Sequence, residues 1–184
     1  MRIVGGAFRG RALATPKSQA IRPTTDRTRE AVFNVLSHRH GDRLEGARVL
    51  DLFAGTGALG LEAISRGASH CLFIEESAEG RGLLRDNIEA FGLQGRTKIF
   101  RRDATALGTA GTIAPFDLVF ADPPYGKGLG ESALASARAG GWLKPGALCV
   151  VEEAASASFR AVEGFGIVDE RHYGDTIVRF IEAD

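Results

Sequence analysis

Val49-Leu50-Asp51-Leu52-Phe53-Ala54-Gly55-Thr56-Gly57-Ala58-Leu59-Gly60 decides how the rest of the chain is read. An apolar run ends around an acid, passes through a glycine loop and enters a segment with helical spacing. That order predicts a strand, a loop and a helix, by which open α/β sheets hold nucleotide-like ligands at strand carboxyl ends. Glycines suit such a loop because a backbone without Cβ atoms turns tightly and lets a ligand lie against it. Two ligand classes fit. Gly55-Thr56-Gly57-Ala58-Leu59-Gly60 matches the G-x-G-x-x-G dinucleotide fingerprint. Asp51 favours the other class: a carboxylate there would repel a pyrophosphate but suits the ammonium, sulfonium and hydroxyls of S-adenosylmethionine. A glycine turn that binds nothing is the third reading.

Outward from this stretch the pattern alternates. Strands are expected at 48–52, 70–75, 97–101, 117–121 and 146–152, and helices near 57–66, 77–91 and 128–139. Alternation at this spacing predicts a parallel sheet built from right-handed crossovers. Two further strand-like runs, 165–173 and 176–182, meet at Gly174-Asp175 and predict a closing antiparallel hairpin. The second strand ends in Glu75, placed to accept from the ribose hydroxyls of a nucleoside; the neighbouring Glu76 reads as solvated. The third runs into Arg102-Asp103-Ala104, where Asp103 is either an acceptor for an adenine amino group or a helix cap.

The fourth strand, Phe116 to Ala121, runs into Asp122-Pro123-Pro124-Tyr125. Two prolines after an acid break the strand and fix the backbone. Methyl transfer to a planar exocyclic amine needs this combination, because the amine lone pair is delocalised into the base ring. Acceptors aimed at its N–H groups, the Asp122 carboxylate and the Pro123 carbonyl, can draw the nitrogen towards a tetrahedral shape. Tyr125 would stack on the base. Catalysis of this kind is positioning and electrostatics, without a covalent intermediate.

The amino-terminal part differs in charge. Residues 1–48 carry ten Arg or Lys against four acids, and the remainder thirteen against nineteen, so a basic segment precedes an acidic body. Such asymmetry suggests a face that meets a polyanion. Residues 2–14 read as two short strands around Gly5-Gly6, with Arg9 and Arg11 on one face. A first helix starts at Thr25 or Asp26, with Ala31, Val32, Val35 and Leu36 as its buried stripe. Arg22, Arg27 and Arg29 crowd its start, where the helix dipole disfavours cations, which suggests that they serve function rather than stability.

The 184 residues suit one α/β catalytic unit, 46–184, with a basic appendage, 1–45. No apolar run approaches the roughly 20 residues of a membrane span, and the amino terminus has no apolar secretory core, so a cytoplasmic protein is expected. Cys71 and Cys149 lie in separate apolar runs and read as core residues; no metal site is expected.

Together, the glycine loop with Asp51 and the Asp122-Pro123-Pro124-Tyr125 motif resemble class I S-adenosylmethionine-dependent amino methyltransferases. The segment Arg2-Ile3-Val4-Gly5-Gly6, Arg9-Gly10-Arg11 and Arg22-Pro23-Thr24-Thr25-Asp26-Arg27, with Arg29-Glu30 and Phe33-Asn34, is similar to the RsmD family of bacterial 16S rRNA guanine-N2 methyltransferases. That resemblance implies a Rossmann-like fold with a seven-stranded sheet, a small amino-terminal hairpin and helix, and S-adenosylmethionine as cofactor. It implies cofactor contacts at Asp51, Phe53, Gly55, Thr56, Gly57, Glu75, Asp103 and Ala104, and catalysis by Asp122, Pro123 and Tyr125. RNA contacts are implied at Arg2, Arg9, Arg11, Arg22, Thr24, Arg27 and Arg29, on 16S rRNA in an assembling small subunit, by a monomer. A DNA adenine or cytosine methyltransferase, a nicotinamide-dependent oxidoreductase and a non-catalytic RNA-binding assembly factor are the alternatives. The first has little room for a target-recognition region, and the second gives the Asp-Pro-Pro-Tyr motif no task. An intact motif beside an intact glycine loop argues against the third.

Overall fold

The computed structural model describes residues 1–17, 24–39 and 41–184. Helix α1 (Asp26–His38) precedes β1 (Arg48–Leu52), α2 (Ala58–Ser65), β2 (His70–Ile74), α3 (Ala78–Ala90) and β3 (Thr97–Phe100). Then follow β4 (Phe116–Ala121), α4 (Leu129–Ala139), β5 (Leu143–Ala154), β6 (Phe165–Tyr173) and β7 (Thr176–Ala183). They form a seven-stranded sheet in the order β3-β2-β1-β4-β5-β7-β6. The pairs among β3, β2, β1, β4 and β5 are parallel, and β7 runs antiparallel to both β5 and β6. The expected alternation and closing hairpin are therefore both present. β5 is longer than expected: it starts at Leu143, and its register with β4 shifts between Phe116 and Leu118.

Helices on both faces explain why the central strands are unbroken apolar runs. One core packs α1, α2 and α3 on the sheet through Phe33, Leu36, Leu61, Leu84, Phe73 and Phe120. The other packs α4 and the 104–116 segment through Leu134, Trp142, Leu107, Leu52 and Val119. Ile3 and Leu13 belong to the first core, so the amino-terminal segment packs on the sheet domain. Cys71 and Cys149 are buried free thiols, one in each core, as expected. Burial pushes the Cys149 thiol up to about 12, far from the reactive range.

Two local expectations are corrected. Residues 2–14 are not two strands about Gly5-Gly6: a single bridge, Arg2 to Ala12, closes a longer turn. The backbone between is engaged elsewhere. Ala7 N–H donates to the Ser65 carbonyl at 2.8 Å, and Phe8 N–H to the Ser65 hydroxyl at 2.9 Å. The turn thus serves carbonyl groups at the end of α2, which no intrahelical donor reaches. Gly6 is needed there, because its φ is +78° and a Cβ would lie 1.9 Å from the Ser65 oxygen. The stripe of α1 is also rotated from expectation: Arg29, Val32, Phe33 and Leu36 are the buried residues. Thr25 caps this helix, its hydroxyl accepting from Thr28 N–H at 3.1 Å.

Candidate active site

The sheet order reverses at β1. The chain goes from β1 to β2 and β3 on one side, then returns to β4 on the other. Loops diverge at such a point and leave a crevice beyond the strand carboxyl ends. A cavity of about 620 Å³ lies there, within the span of small-molecule sites. Its wall combines Phe53–Thr56 after β1, Glu75–Ser77 after β2, Arg102–Ala104 after β3 and Asp122–Tyr125 after β4, with Thr24 from the start of α1. Every strand-end motif singled out in the sequence converges on this one crevice.

The glycine loop is held in a strained shape. Phe53 has φ +54°, the single positive φ at a non-glycine among the described residues, and its ring lines the cavity. Gly57 has φ +82°, and a Cβ there would lie 2.4 Å from Leu84. Gly57 therefore shapes the loop from behind rather than forming the wall. Asp51 is a similar correction. It is 1% exposed, lies outside the cavity lining, and its carboxylate accepts from Gly60 N–H at 3.0 Å. Burial, together with the charges of Asp122 and Glu75, pushes its carboxyl well above the usual range, against the Gly60 bond. Asp51 ties β1 to α2 from behind the cavity wall.

Glu75 does face the cavity. Its carboxylate accepts from Gly55 N–H at 2.7 Å and Ser77 N–H at 2.9 Å, which fixes it against the glycine loop. The neighbouring Glu76, read as solvated, is exposed and also on the wall. Asp103 is exposed and accepts from the Thr105 hydroxyl at 2.7 Å and Thr105 N–H at 2.8 Å, so it closes a turn rather than capping a helix. Those two bonds hold its carboxyl below the usual range. Ala104 and Thr56 are buried wall residues.

Opposite them stands the Asp122-Pro123-Pro124-Tyr125 turn. The Thr24 hydroxyl donates to Asp122 Oδ2 at 2.8 Å. The Tyr125 hydroxyl donates to Glu152 Oε1 at 2.6 Å and lies 3.0 Å from the Thr176 hydroxyl. Burial and the Glu152 carboxylate drive the Tyr125 hydroxyl far above its ordinary value, so it stays a donor. Glu152 is 7% exposed, and its second oxygen lies 3.3 Å from Thr24 Oγ1. Glu153 is buried beside it and accepts from Gly126 N–H at 3.0 Å, which secures the chain after Tyr125. The sequence reading missed Glu152, Glu153 and Thr176. A signal for the first two was available: they are acids at the carboxyl end of an apolar strand, as Glu75 and Asp122 are. Thr176 had none.

The expected RNA contacts divide. Arg2, Arg9 and Arg27 are exposed, although Arg2 also donates through Nη1 to the Gly10 carbonyl at 2.6 Å. Arg9 sits in the turn rather than on a strand face with Arg11. The Arg11 guanidinium lies 4.5 Å from the Phe91 ring centroid and donates to the Ala90 carbonyl at 2.6 Å, so part of it is spent on packing. Thr24 is 6% exposed and is a wall residue partnered to Asp122, not part of an RNA-facing surface. Arg29 is 0% exposed, with Nε 3.2 Å from Glu62 and Nη2 2.8 Å from Asp26, and it also donates to the Arg2 carbonyl. A buried, fully engaged guanidinium cannot reach RNA; Arg29 is structural. Arg22 lies outside the described residues.

The chain matches the family described as Conserved hypothetical protein 95 over residues 1–182. It is 41% identical over 153 residues to the ribosomal RNA small subunit methyltransferase D of Escherichia coli K12, covering 83% of this chain and 74% of that protein. To the methyltransferase D of Haemophilus influenzae it is 32% identical over 176 residues, covering 95% and 89%. The solved structure of yhhF from Escherichia coli superposes with a TM-score of 0.83 at 34% identity, covering 100% of this chain and 98% of the other. The chain belongs to this family, that of the ribosomal RNA small subunit methyltransferases D, the RsmD family.

Proposed function

We propose, from that membership and the converging geometry, that the protein is an S-adenosylmethionine-dependent methyltransferase acting on the exocyclic N2 amine of a guanine in 16S rRNA. The observation that carries the reading is the convergence on one crevice of the glycine loop, Glu75 and the Asp122–Tyr125 turn.

The wall fits the cofactor. Glu75, already fixed by two backbone N–H groups, offers its remaining lone pairs to ribose hydroxyls, and Asp103 offers an acceptor to an adenine amino group. Phe53, Ile74 and Ala104 supply apolar wall, and Gly55 allows close backbone approach. When bound, the cofactor supplies a sulfonium-activated methyl group. The chain's own task is to position the acceptor. Asp122 and the Pro123 carbonyl accept from the amine N–H groups, and Tyr125 holds the plane of the base. The proton lost from the methylated amine has Asp122 as its nearest carboxylate. The reaction requires an exposed or turned-out guanine. The preferred substrate is 16S rRNA in an assembling small subunit, met by the exposed arginines of a monomeric enzyme in the cytoplasm.

The test uses tritiated S-adenosylmethionine with small subunits lacking the modification, naked 16S rRNA and DNA, followed by digestion to nucleosides. Label in N2-methylguanosine, strongest on subunits, is expected. Label confined to DNA bases, or none despite cofactor binding, overturns the assignment. Asp122→Ala should lower kcat by about 10²–10³-fold or more with cofactor affinity retained; wild-type turnover in that variant would remove Asp122 from the mechanism.

A further inference from the structure

We infer that Glu152, on the strand next to the catalytic turn, is a positioning residue that sets both Tyr125 and the Thr24–Asp122 pair. It rests on the methyl-transfer reading above, and it deepens that reading by one residue outside the Asp-Pro-Pro-Tyr motif.

The register places it. Ala121, the last residue of β4, pairs with Val151 of β5, so Asp122 leaves the sheet beside Glu152, which stays in β5 and pairs with Val178 of β7. Leu148 and Val150 belong to the core that holds α1, and alternation turns Glu152 to the same face, where Thr24 lies just before that helix and its cap. A carboxylate at 7% exposure has lost most of its water and persists only when its oxygens find donors. Tyr125 and Thr24, both on the cavity wall, are among its donors.

Proton counting fixes the direction of each bond. Tyr125 has one hydroxyl hydrogen, and the 2.6 Å approach to Glu152 Oε1 is the short, charge-assisted bond, so the Thr176 hydroxyl at 3.0 Å donates to the tyrosine oxygen. Tyr125 is thereby gripped by an acceptor on β5 and a donor on β7, which fixes the position of its hydroxyl at the cavity wall. Thr24 likewise has one hydrogen. It is aimed at Asp122 at 2.8 Å, with Glu152 Oε2 as a second, longer acceptor at 3.3 Å. One buried carboxylate therefore touches the stacking residue and the partner of the catalytic acid together. Displacement of a positioned group by about 1 Å can cost roughly 100-fold in rate, which sets the scale expected here.

The experiment compares wild type, Glu152→Gln, Tyr125→Phe and the double variant on small subunits, with kcat and cofactor Kd measured separately. Each single variant should lose roughly 10–100-fold in kcat with cofactor affinity within about twofold, because neither touches the glycine loop. The double variant should lose no more than the larger single loss, since both changes cut one bond. Wild-type kcat in Glu152→Gln, additive losses in the double, or a fall in cofactor affinity equal to the fall in kcat would each overturn the inference. Tyr125→Phe leaves the buried carboxylate in place and serves if Glu152→Gln does not fold. The chain has two tyrosines, so in a Tyr173→Phe background the tyrosinate absorbance belongs to Tyr125. It should titrate at lower pH after Glu152→Gln; no change would overturn the contact. Wild-type protein that methylates nothing would instead sink the functional reading, a separate failure.

Discussion

Two buried glutamates divide the molecule into a part that is clamped and a part that is poised. Glu62, on α2, is 0% exposed and accepts from Val4 N–H and Gly5 N–H at 3.0 Å, Arg29 Nε at 3.2 Å and Arg66 Nε at 2.9 Å. Its charge is answered by two guanidinium groups and two backbone amides, and these tie the amino-terminal segment, α1 and α2 into one node. Glu152 is nearly as buried, and two of its partners, the Tyr125 and Thr24 hydroxyls, belong to the cavity wall. A buried carboxylate is retained only where hydrogen bonds and charges compensate its lost hydration, so the groups it holds are held firmly. The Glu62 contacts clasp three segments of the fold together, whereas the Glu152 contacts reach the cavity wall.

The comparison breaks most visibly at Arg29. Arg29→Ala leaves Glu62 and Asp26 without their guanidinium, and the expected loss is about 3–5 kcal/mol in denaturant unfolding. If Arg29 instead served RNA, stability would be unchanged and the salt dependence of RNA binding would fall.

Asp51 sharpens the comparison, because it is a buried acid whose carboxylate accepts from the backbone N–H of Gly60 and has no salt bridge among the described residues. Its carboxyl is raised in the fold, so between the unfolded and folded values the native state holds a proton that the unfolded chain has released. Stability then falls as pH rises through that window, by about 1.4 kcal/mol for each unit of separation. Asp51→Asn should abolish this slope, so that its stability relative to wild type improves towards alkaline pH. Parallel pH profiles for the two proteins would contradict the burial argument.

The smallest effect is expected on the surface. Arg9→Ala with Arg27→Ala should change stability by no more than about 0.5 kcal/mol and lower the log–log salt slope of RNA binding by roughly 1–2. An unchanged slope would leave those two arginines as ordinary solvated groups.

Much of this was legible in the chain. The apolar runs before Asp51, Glu75 and Asp122 mark strand ends, and ligands of open α/β sheets gather there, so linear motifs some 25 to 70 residues apart could be assigned to one crevice before any coordinates. Arg29 shows where reading by residue type failed. Its spacing to Val32, Phe33 and Leu36 puts it on the buried stripe, a periodic signal outweighed by the assumption that an arginine cluster faces outward. The hairpin about Gly5-Gly6 failed for another reason: its backbone groups bond to Ser65, nearly sixty residues away, and local sequence carries no trace of that partner.

The order of elements, the glycine loop and the Asp122–Tyr125 turn can be read along the chain, because periodicity, backbone freedom and proline geometry are local properties. Which acids line the cavity and which are walled in depends on packing across the whole sheet. Asp51 and Glu75 look alike in the chain, yet one braces α2 and the other faces the cavity. Charge and hydrogen bonding act through space, so the role of a buried carboxylate depends on partners that only the packed sheet brings together.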